Sequence, residues 1–90
     1  MYMLIGEQQV ESVDADEQRA RFAHMADVVR RSPGFVRGWW GLDDTDPENA
    51  HVLIALDTLE DARALRRLVE ENVLGVRLRI MAVGVSAEAD

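Results

Sequence analysis

The sequence predicts an α+β domain of ferredoxin-like type, with elements in the order βαββαβ, spanning residues 1–90. Four short segments are rich in the β-branched and aromatic residues that favour strands. Two longer segments begin with helix-capping residues and continue with apolar residues at helical spacing. Right-handed crossovers would place both helices on one face of a four-stranded antiparallel sheet. Ninety residues leave no room for a second core.

The first strand and the first helix form the N-terminal part of the pattern. Tyr2–Val10 mixes aromatic and aliphatic residues, which is typical of a strand. Asp14 followed by Glu17 resembles a capping box and predicts a helix from about Asp14 to Arg31. Pro33–Gly34 ends this helix, because proline lacks an amide donor and glycine tolerates left-handed turns. The expected apolar stripe of the helix consists of Ala15, Arg19, Phe22, Ala23, Ala26 and Val29, with Met25 beside it.

A hairpin follows the first helix. Phe35–Leu42 carries two tryptophans and aliphatic residues that suit a pleated surface. The acidic, polar run Asp43–Asn49 closes an antiparallel hairpin to a third strand, Ala50–Asp57.

The second helix and the last strand complete the order. Thr58 with Asp61 starts the helix in the same way as the first, and Gly75 is its expected C-terminal cap. Val76–Val85 is the predicted last strand, followed by a short polar tail. The apolar stripe of the second helix consists of Leu59, Ala62, Leu65, Leu68, Val69 and Val73.

The predicted sheet needs cover on both faces. Apolar residues occupy both parities of His51–Asp57, and one of Trp39 and Trp40 must point away from the helices if the second strand is regular. Other apolar residues that could lie on the uncovered face are Leu53, Met81, Val83 and Val85. Such a face exceeds the few hundred Å² that a monomer normally exposes. We therefore predict a homodimer joined sheet to sheet through this open face.

The composition excludes several classes of function. The chain has no cysteine, which excludes disulfides and thiolate chemistry, and its two histidines lie far apart, so we predict no metal site. A net charge of −7 argues against nucleic acid as a partner. No apolar run is long enough to span a membrane, and the first ten residues lack signal-peptide features, so we expect a cytoplasmic protein. Phosphate-binding glycine motifs are also absent, and no cofactor is expected.

Three segments carry a family resemblance: the helix-ending Ser32–Phe35, the acidic loop Asp43–Asn49 and the strand-to-helix passage Val52–Ala62. They resemble the dimeric α/β-barrel superfamily, and within it the antibiotic biosynthesis monooxygenase-like domains. Members of this group include monooxygenases that oxidise aromatic polyketides without a cofactor, and haem-degrading enzymes. The resemblance implies a homodimer that binds a planar, aromatic metabolite and could oxygenate it without metal or flavin.

Two features of the family are missing from this chain. Many members have a tryptophan near the end of the third strand and a histidine in the following helix, where this sequence has Ala55–Asp57 and Ala64–Arg66. Haem-degrading members pair an asparagine on the first strand with a helix histidine, and Tyr2–Val10 contains no asparagine. These departures disfavour haem degradation. They leave open the alternative of a non-catalytic dimerisation or ligand-sensing module.

Trp39 and Trp40 are the first candidates for ligand contact. An indole on the open face could line the cavity of the dimeric barrel and stack on a planar ligand. The alternative places one indole in the helix-side core and the other in the dimer interface.

The candidate catalytic residues are His51 and Arg37. His51 could act as a general base near neutral pH, and Arg37 could hold an enolic oxygen. Arg77 and Arg79 on the last strand could bind an anionic group in the same way. The alternatives are a surface histidine near a loop, and arginines in salt bridges across the sheet, to Glu7 for example.

Overall fold

A computed structural model describes residues 1–90, and its elements follow the order βαββαβ. They are β1 (Tyr2–Gln9), α1 (Ala15–Val29), β2 (Phe35–Leu42), β3 (Asn49–Leu56), α2 (Leu59–Asn72) and β4 (Arg77–Ala82). The four strands form one antiparallel sheet in the spatial order β2-β3-β1-β4. The predicted ferredoxin-like α+β fold is therefore confirmed.

The register of β1 decides which side chains face the helices. Leu4 pairs with Ile54 of β3 and Ile80 of β4, and this row packs into the core. Successive side chains of a strand point to opposite faces, so Ile5 and its partner Leu53 start the opposite row. The apolar side chains of this second row define the open face: Met3, Ile5, Trp39, Leu53 and Met81.

A β-bulge near the start of β2 changes the face to which its first residue points. The register of β2 against β3 shifts between Phe35 and Arg37. As a result Phe35 lies on the helix side, where it packs against the core, while Arg37 lies on the open face. Regular alternation then places Trp39 on the open face and Trp40 on the helix side.

Both helices begin at the predicted caps. The Asp14 carboxylate accepts a hydrogen bond from the Glu17 amide at 2.8 Å, and the Thr58 hydroxyl accepts one from the Asp61 amide at 3.0 Å. Each of these bonds satisfies one of the amides that the first helical turn leaves without an internal partner.

Two predicted elements end more than one residue away from their ends in the structure. The first helix ends at Val29 instead of Arg31, because the amides of Arg31 and Ser32 bond three residues back and tighten the chain into a turn. The last strand covers Arg77–Ala82, shorter than the predicted Val76–Val85, because β1 offers paired residues only from Tyr2 to Glu7.

The core lies between the sheet and α2. Its fully buried members come from β1, β3 and α2: Leu4, Ile54, Leu56, Ala62 and Leu65. Each buried leucine or isoleucine side chain contributes about 1.5–3 kcal/mol relative to an exposed one. The apolar face of α2, and not that of α1, therefore supplies most of the helical contribution to the core.

The buried side of α1 differs from the predicted stripe. Its one buried residue is Gln18, whereas Ala15, Arg19 and Ala23 of the predicted stripe are exposed. The half-buried residues on its inner side are Phe22, Met25, Ala26 and Val29. The helix contacts mainly the edge strand β2. The residues that face the sheet are therefore not the ones that the hydrophobic pattern alone predicts.

Gly34 and Gly75 allow a test of the turns that follow the helices. Both have left-handed backbones, with φ of 74° and 73°, but a side-chain carbon at Gly34 would also overlap the Asp61 carboxylate. We expect Gly75→Ala to lower the free energy of unfolding by about 1–2 kcal/mol, the cost of the left-handed conformation. Gly34→Ala should lose about 1 kcal/mol more, because Asp61 must move. Urea unfolding of both variants would measure this, and equal losses would contradict the crowding at Gly34.

Candidate ligand cavity and open face

The two helices pack on different parts of the sheet and leave a space between them. The first helix contacts the edge strand β2, while α2 contacts β1, β3 and β4. The resulting cavity has a volume of about 710 Å³ and lies between both helices and the helix side of the sheet. We call it the inter-helix cavity. Its size falls in the range of pockets that hold small organic ligands.

The walls of the inter-helix cavity are mostly apolar. Members from the sheet and the two helices include Leu4, Trp40, Leu78, Phe22, Met25 and Leu65. Trp40 can lie here because Gly38, two residues earlier on the same face, has no side chain. A Cβ atom at Gly38 would stand 2.7 Å from two carbons of the six-membered ring of Trp40. The sequence Gly38–Trp40 thus supplies both the indole and the room for it.

Two amide side chains of the cavity wall are engaged within the chain. The Gln8 amide group donates to the Leu74 carbonyl at 3.5 Å, and the Asn72 amide group donates to the Leu68 carbonyl at 2.7 Å. Gln18 on α1 also lines the cavity and is the one buried polar residue of the chain, with 7% of its surface exposed.

Two charged residues of α1 lie at the cavity wall closer to solvent. Arg21 is paired with the Glu17 carboxylate at 3.0 Å, and His24 is exposed. Because the arginine already has a carboxylate partner, the wall offers little net positive charge to an anionic ligand.

The open face keeps large apolar side chains in contact with solvent. The exposed fractions are 43% for Trp39, 40% for Leu53 and 46% for Met81. The Arg37 guanidinium carbon lies 4.8 Å from the centroid of the Trp39 ring, which is a cation–π geometry. Arg37 therefore covers part of an indole that would otherwise be more exposed.

A row of charged side chains crosses the end of the open face. Glu7 pairs in register with both Arg77 and His51, and its carboxylate lies 2.8 Å from the Arg77 guanidinium and 3.6 Å from Nδ1 of His51. Nε2 of His51 lies 2.8 Å from the Asp43 carboxylate. We call these four residues, Arg77, Glu7, His51 and Asp43, the charged row.

The charged row affects the ionisation of Asp43. The hydrogen bond from His51 is the main cause that lowers the pKa of this carboxyl far below its ordinary value, and hydrogen bonds from the amide and hydroxyl of Thr45 and the amide of Asp46 lower it further. Asp43 thus stays ionised and ties the hairpin loop to the start of β3.

The structure separates the predicted site residues into two groups. Trp40 lines the inter-helix cavity. His51 also borders that cavity, but its imidazole belongs to the charged row at the end of the open face. The other predicted residues, Arg37, Trp39, Arg77 and Arg79, belong to the open-face row on the opposite side of the sheet. The ligand cavity predicted between the open faces of a dimer stays a prediction, and the cavity within this single chain lies under the helices. The predicted salt bridge from Arg77 to Glu7 is present.

Sequence analysis missed the partner of His51 and the position of Gln18. The hairpin register contained the first signal: Leu42 pairs with Ala50, so Asp43 continues the open-face row beside His51. The burial of Gln18 could have been predicted only by assigning a different set of α1 residues to the buried side. The sequence gives no reason to do so.

No group of three or more histidine, aspartate or glutamate side chains has the arrangement of a metal site. Neither helix has the length and apolar composition that crossing a bilayer requires.

The hydrogen bond between Asp43 and His51 predicts a pH dependence. The folded pKa of Asp43 lies below its unfolded value, so its contribution to stability is present above about pH 4 and decreases as the pH falls further. We expect Asp43→Asn to be less stable than wild type at pH 7, with the difference shrinking between pH 4 and pH 2. Urea unfolding across this range would measure it. Asp44→Asn, at an exposed neighbour, is the control, and a difference independent of pH would contradict the assignment.

Comparison with known proteins locates the fold. No family model matches the sequence, and no curated protein matches it. The haem-degrader MhuD from Mycobacterium tuberculosis, solved with two haems in its active site, has a TM-score of 0.74 at 20% identity, covering 98% of this chain and 100% of that chain. SnoaB, a cofactor-independent oxygenase from Streptomyces nogalater, has a TM-score of 0.68 at 16% identity, with 94% of each chain covered.

A third structure, from Deinococcus radiodurans, is provisionally assigned as an antibiotic biosynthesis monooxygenase. Its TM-score is 0.69 at 17% identity, with 100% of this chain and 99% of that chain covered. At such identities the likeness establishes the fold alone. The chain therefore has the fold of the antibiotic biosynthesis monooxygenase-like domains, as the resemblance predicted.

Proposed function

We propose that this protein is a homodimer, joined through its open faces, in which each subunit binds a planar aromatic metabolite in its inter-helix cavity. The observation that carries the proposal is the cavity of about 710 Å³ with Trp40 in its wall. A flat ligand of two to four fused rings fits such a volume and can stack on the indole. The apolar walls favour a ligand with few polar substituents.

The exposed open face supports the dimer. Four strands of about eight residues, spaced about 4.8 Å apart, present a face of roughly 500 Å². At about 25 cal/mol per Å² of apolar surface, burial of that area would contribute at most about 12 kcal/mol per subunit before the costs of association, and less because Arg37 and Arg79 occupy part of the face. Trp39, Leu53 and Met81 supply the large apolar groups that dimer interfaces contain at their centres.

Oxygenation without a cofactor is the reaction class that agrees with the fold. A substrate with an acidic methylene group, such as an anthrone, can react with dioxygen so that the methylene becomes a carbonyl and water is released. The substrate supplies the electrons, so no external reductant is needed. The protein's part would be to hold the ring system on Trp40 and to exclude water from the reacting carbon.

The alternative function is binding without catalysis. His51 is the predicted base, but its Nε2 is hydrogen-bonded to Asp43 and its Nδ1 faces Glu7 at 3.6 Å, so the imidazole is directed at the carboxylates of the charged row and not at a ligand in the inter-helix cavity. A ligand-sensing or carrier module would need the same cavity and no base. Oxygen consumption separates the two functions.

Haem does not fit the residues of this chain. Its two histidines are His24, which is exposed on α1, and His51, which is engaged in the charged row, so α2 offers no histidine and β1 no asparagine. We therefore propose an aromatic ligand without a coordinated metal, in contrast to MhuD.

The open face predicts a specific effect on assembly. Leu53→Glu should weaken the dimer at least about thirtyfold, because a carboxylate would be buried without a partner. Leu74→Glu, at a residue 94% exposed in a loop, adds the same charge and is the matched control. Trp39→Ala should also weaken the dimer, whereas Trp40→Ala should have little effect on it, because Trp40 lies on the helix side of the sheet. Sedimentation velocity would measure this, and a wild-type protein that stays monomeric would refute the dimer.

Ligand binding can be followed through Trp40 alone. In Trp39→Phe protein the single remaining indole lines the cavity, so fluorenone, a planar ketone of three fused rings, should quench its fluorescence. At a hundredfold excess over the dissociation constant, the ligand should stabilise the fold by about 2.7 kcal/mol. The control is Trp40→Phe protein, in which the remaining Trp39 should not be quenched. Quenching of Trp39 instead would place the ligand on the open face.

The same proteins decide whether the site is catalytic. With anthrone as substrate, we expect one dioxygen to be consumed per anthrone oxidised, at a rate that EDTA does not change. Loss of turnover with EDTA would refute oxygenation without metal. Binding of fluorenone with no oxygen consumption above the uncatalysed rate would identify the ligand-sensing alternative.

A further inference from the structure

Gln18 breaks the apolar pattern of the side of α1 that faces the sheet. The neighbouring positions on that side, Phe22, Met25 and Val29, are apolar and half-buried, as expected for a helix that packs on a sheet. Gln18 is more deeply buried than any of them, with 7% of its surface exposed. A polar side chain at a position where its neighbours are apolar needs an explanation.

No structural role of the Gln18 side chain accounts for its position. The backbone amide of Gln18 bonds to the Asp14 carbonyl as in any helix, and the cap of the helix is the Asp14 carboxylate. The side-chain amide makes no hydrogen bond within the chain. No polar side-chain atom is both fully enclosed and unbonded, so this amide opens onto the adjoining free space.

The surroundings of Gln18 define what it could bind. A second, smaller cavity of about 500 Å³ lies against β2. Gln18, Phe22 and Trp40 line both cavities and therefore lie between them. An aromatic ligand held by these two rings would have its edge at the glutamine. Of the other amide side chains of the cavity wall, those of Gln8 and Asn72 already donate to backbone carbonyls, and Gln9 is exposed to solvent.

We propose that Gln18 is the residue that orients the ligand, by donating a hydrogen bond from its side-chain amide to a carbonyl or enol oxygen on the ring system. This inference rests on the proposed function, because it needs a planar ligand in the inter-helix cavity. The ligand is then an uncharged aromatic ketone or phenol, since Arg21 near the cavity is already paired with Glu17. The oxygen lies at the α1 side of the cavity, and the hydrocarbon edge lies toward α2.

The test compares fluorenone with fluorene, which has the same shape but a methylene in place of the carbonyl. Equilibrium dialysis would give both dissociation constants, and their ratio measures the preference for oxygen. In wild-type protein the ratio should favour fluorenone, and in Gln18→Met protein it should fall about fivefold, because one hydrogen bond is lost. Affinity for fluorene should change little. Arg63→Met, at an exposed position of α2 that lines neither cavity, is the control and should keep the wild-type ratio.

Thermal unfolding of the free proteins supplies a second readout. Gln18→Met should unfold at the same or a higher temperature than wild type, because the amide makes no hydrogen bond within the chain that the substitution would remove, whereas a structural role would lower this temperature. Gln18→Glu keeps the shape but has no amide donor, so its ratio should fall as well. Unfolding of both variants at ambient temperature would refute the proposal.

The measurements distinguish a failure of the role of Gln18 from a failure of ligand binding in the cavity. If wild type binds both ligands and the ratio is the same in Gln18→Met, the role of Gln18 is refuted and the cavity still binds planar ligands. If wild type binds neither ligand, the proposed function fails and the role of Gln18 fails with it.

Discussion

The packing of α2 on the central strands is the constraint on which the other features depend. Leu4, Ile54 and Leu65 meet in this contact, and each is at most 3% exposed. With one helix fixed over β1, β3 and β4, the remaining helix can cover only the other edge of the sheet, and α1 packs on β2. The inter-helix cavity is the space between these two positions. The cavity exists because the two helices cover different parts of the sheet, and not because any one side chain is small.

The bulge in β2 has a consequence for both faces. Without the register shift after Phe35, regular alternation would place Phe35 on the same face as Trp39. The bulge brings Phe35 into the helix-side core and keeps Trp40 there too, while Arg37 and Trp39 stay together on the open face. One extra residue thus lets a strand with three large aromatics place two of them inside and one outside.

Much of the fold could be predicted because its signals are local. The caps at Asp14 and Thr58 and the turn at Gly34 act within one helical turn, and they were found from residue type and spacing. Which side of α1 faces the sheet is decided by packing between elements that are far apart in the chain. For that reason the buried position of Gln18 and the cavity beside it could not be derived from the sequence. The contact between His51 and Asp43 is partly predictable. It follows from the hairpin register, but only once the loop is known to begin after Leu42.

The open face and the inter-helix cavity meet at two consecutive residues. Trp39 and Trp40 share a peptide bond but point to opposite sides of β2, which is an edge strand with hydrogen-bonded pairing on one side only. Such a strand is free to move more than a central one. A partner subunit that packs on Trp39 would restrict the backbone that carries Trp40, while α1 restricts it from the other side. Dimerisation would therefore make the cavity wall more rigid. The binding site would then be preorganised, so that less free energy is spent on ordering it when the ligand binds.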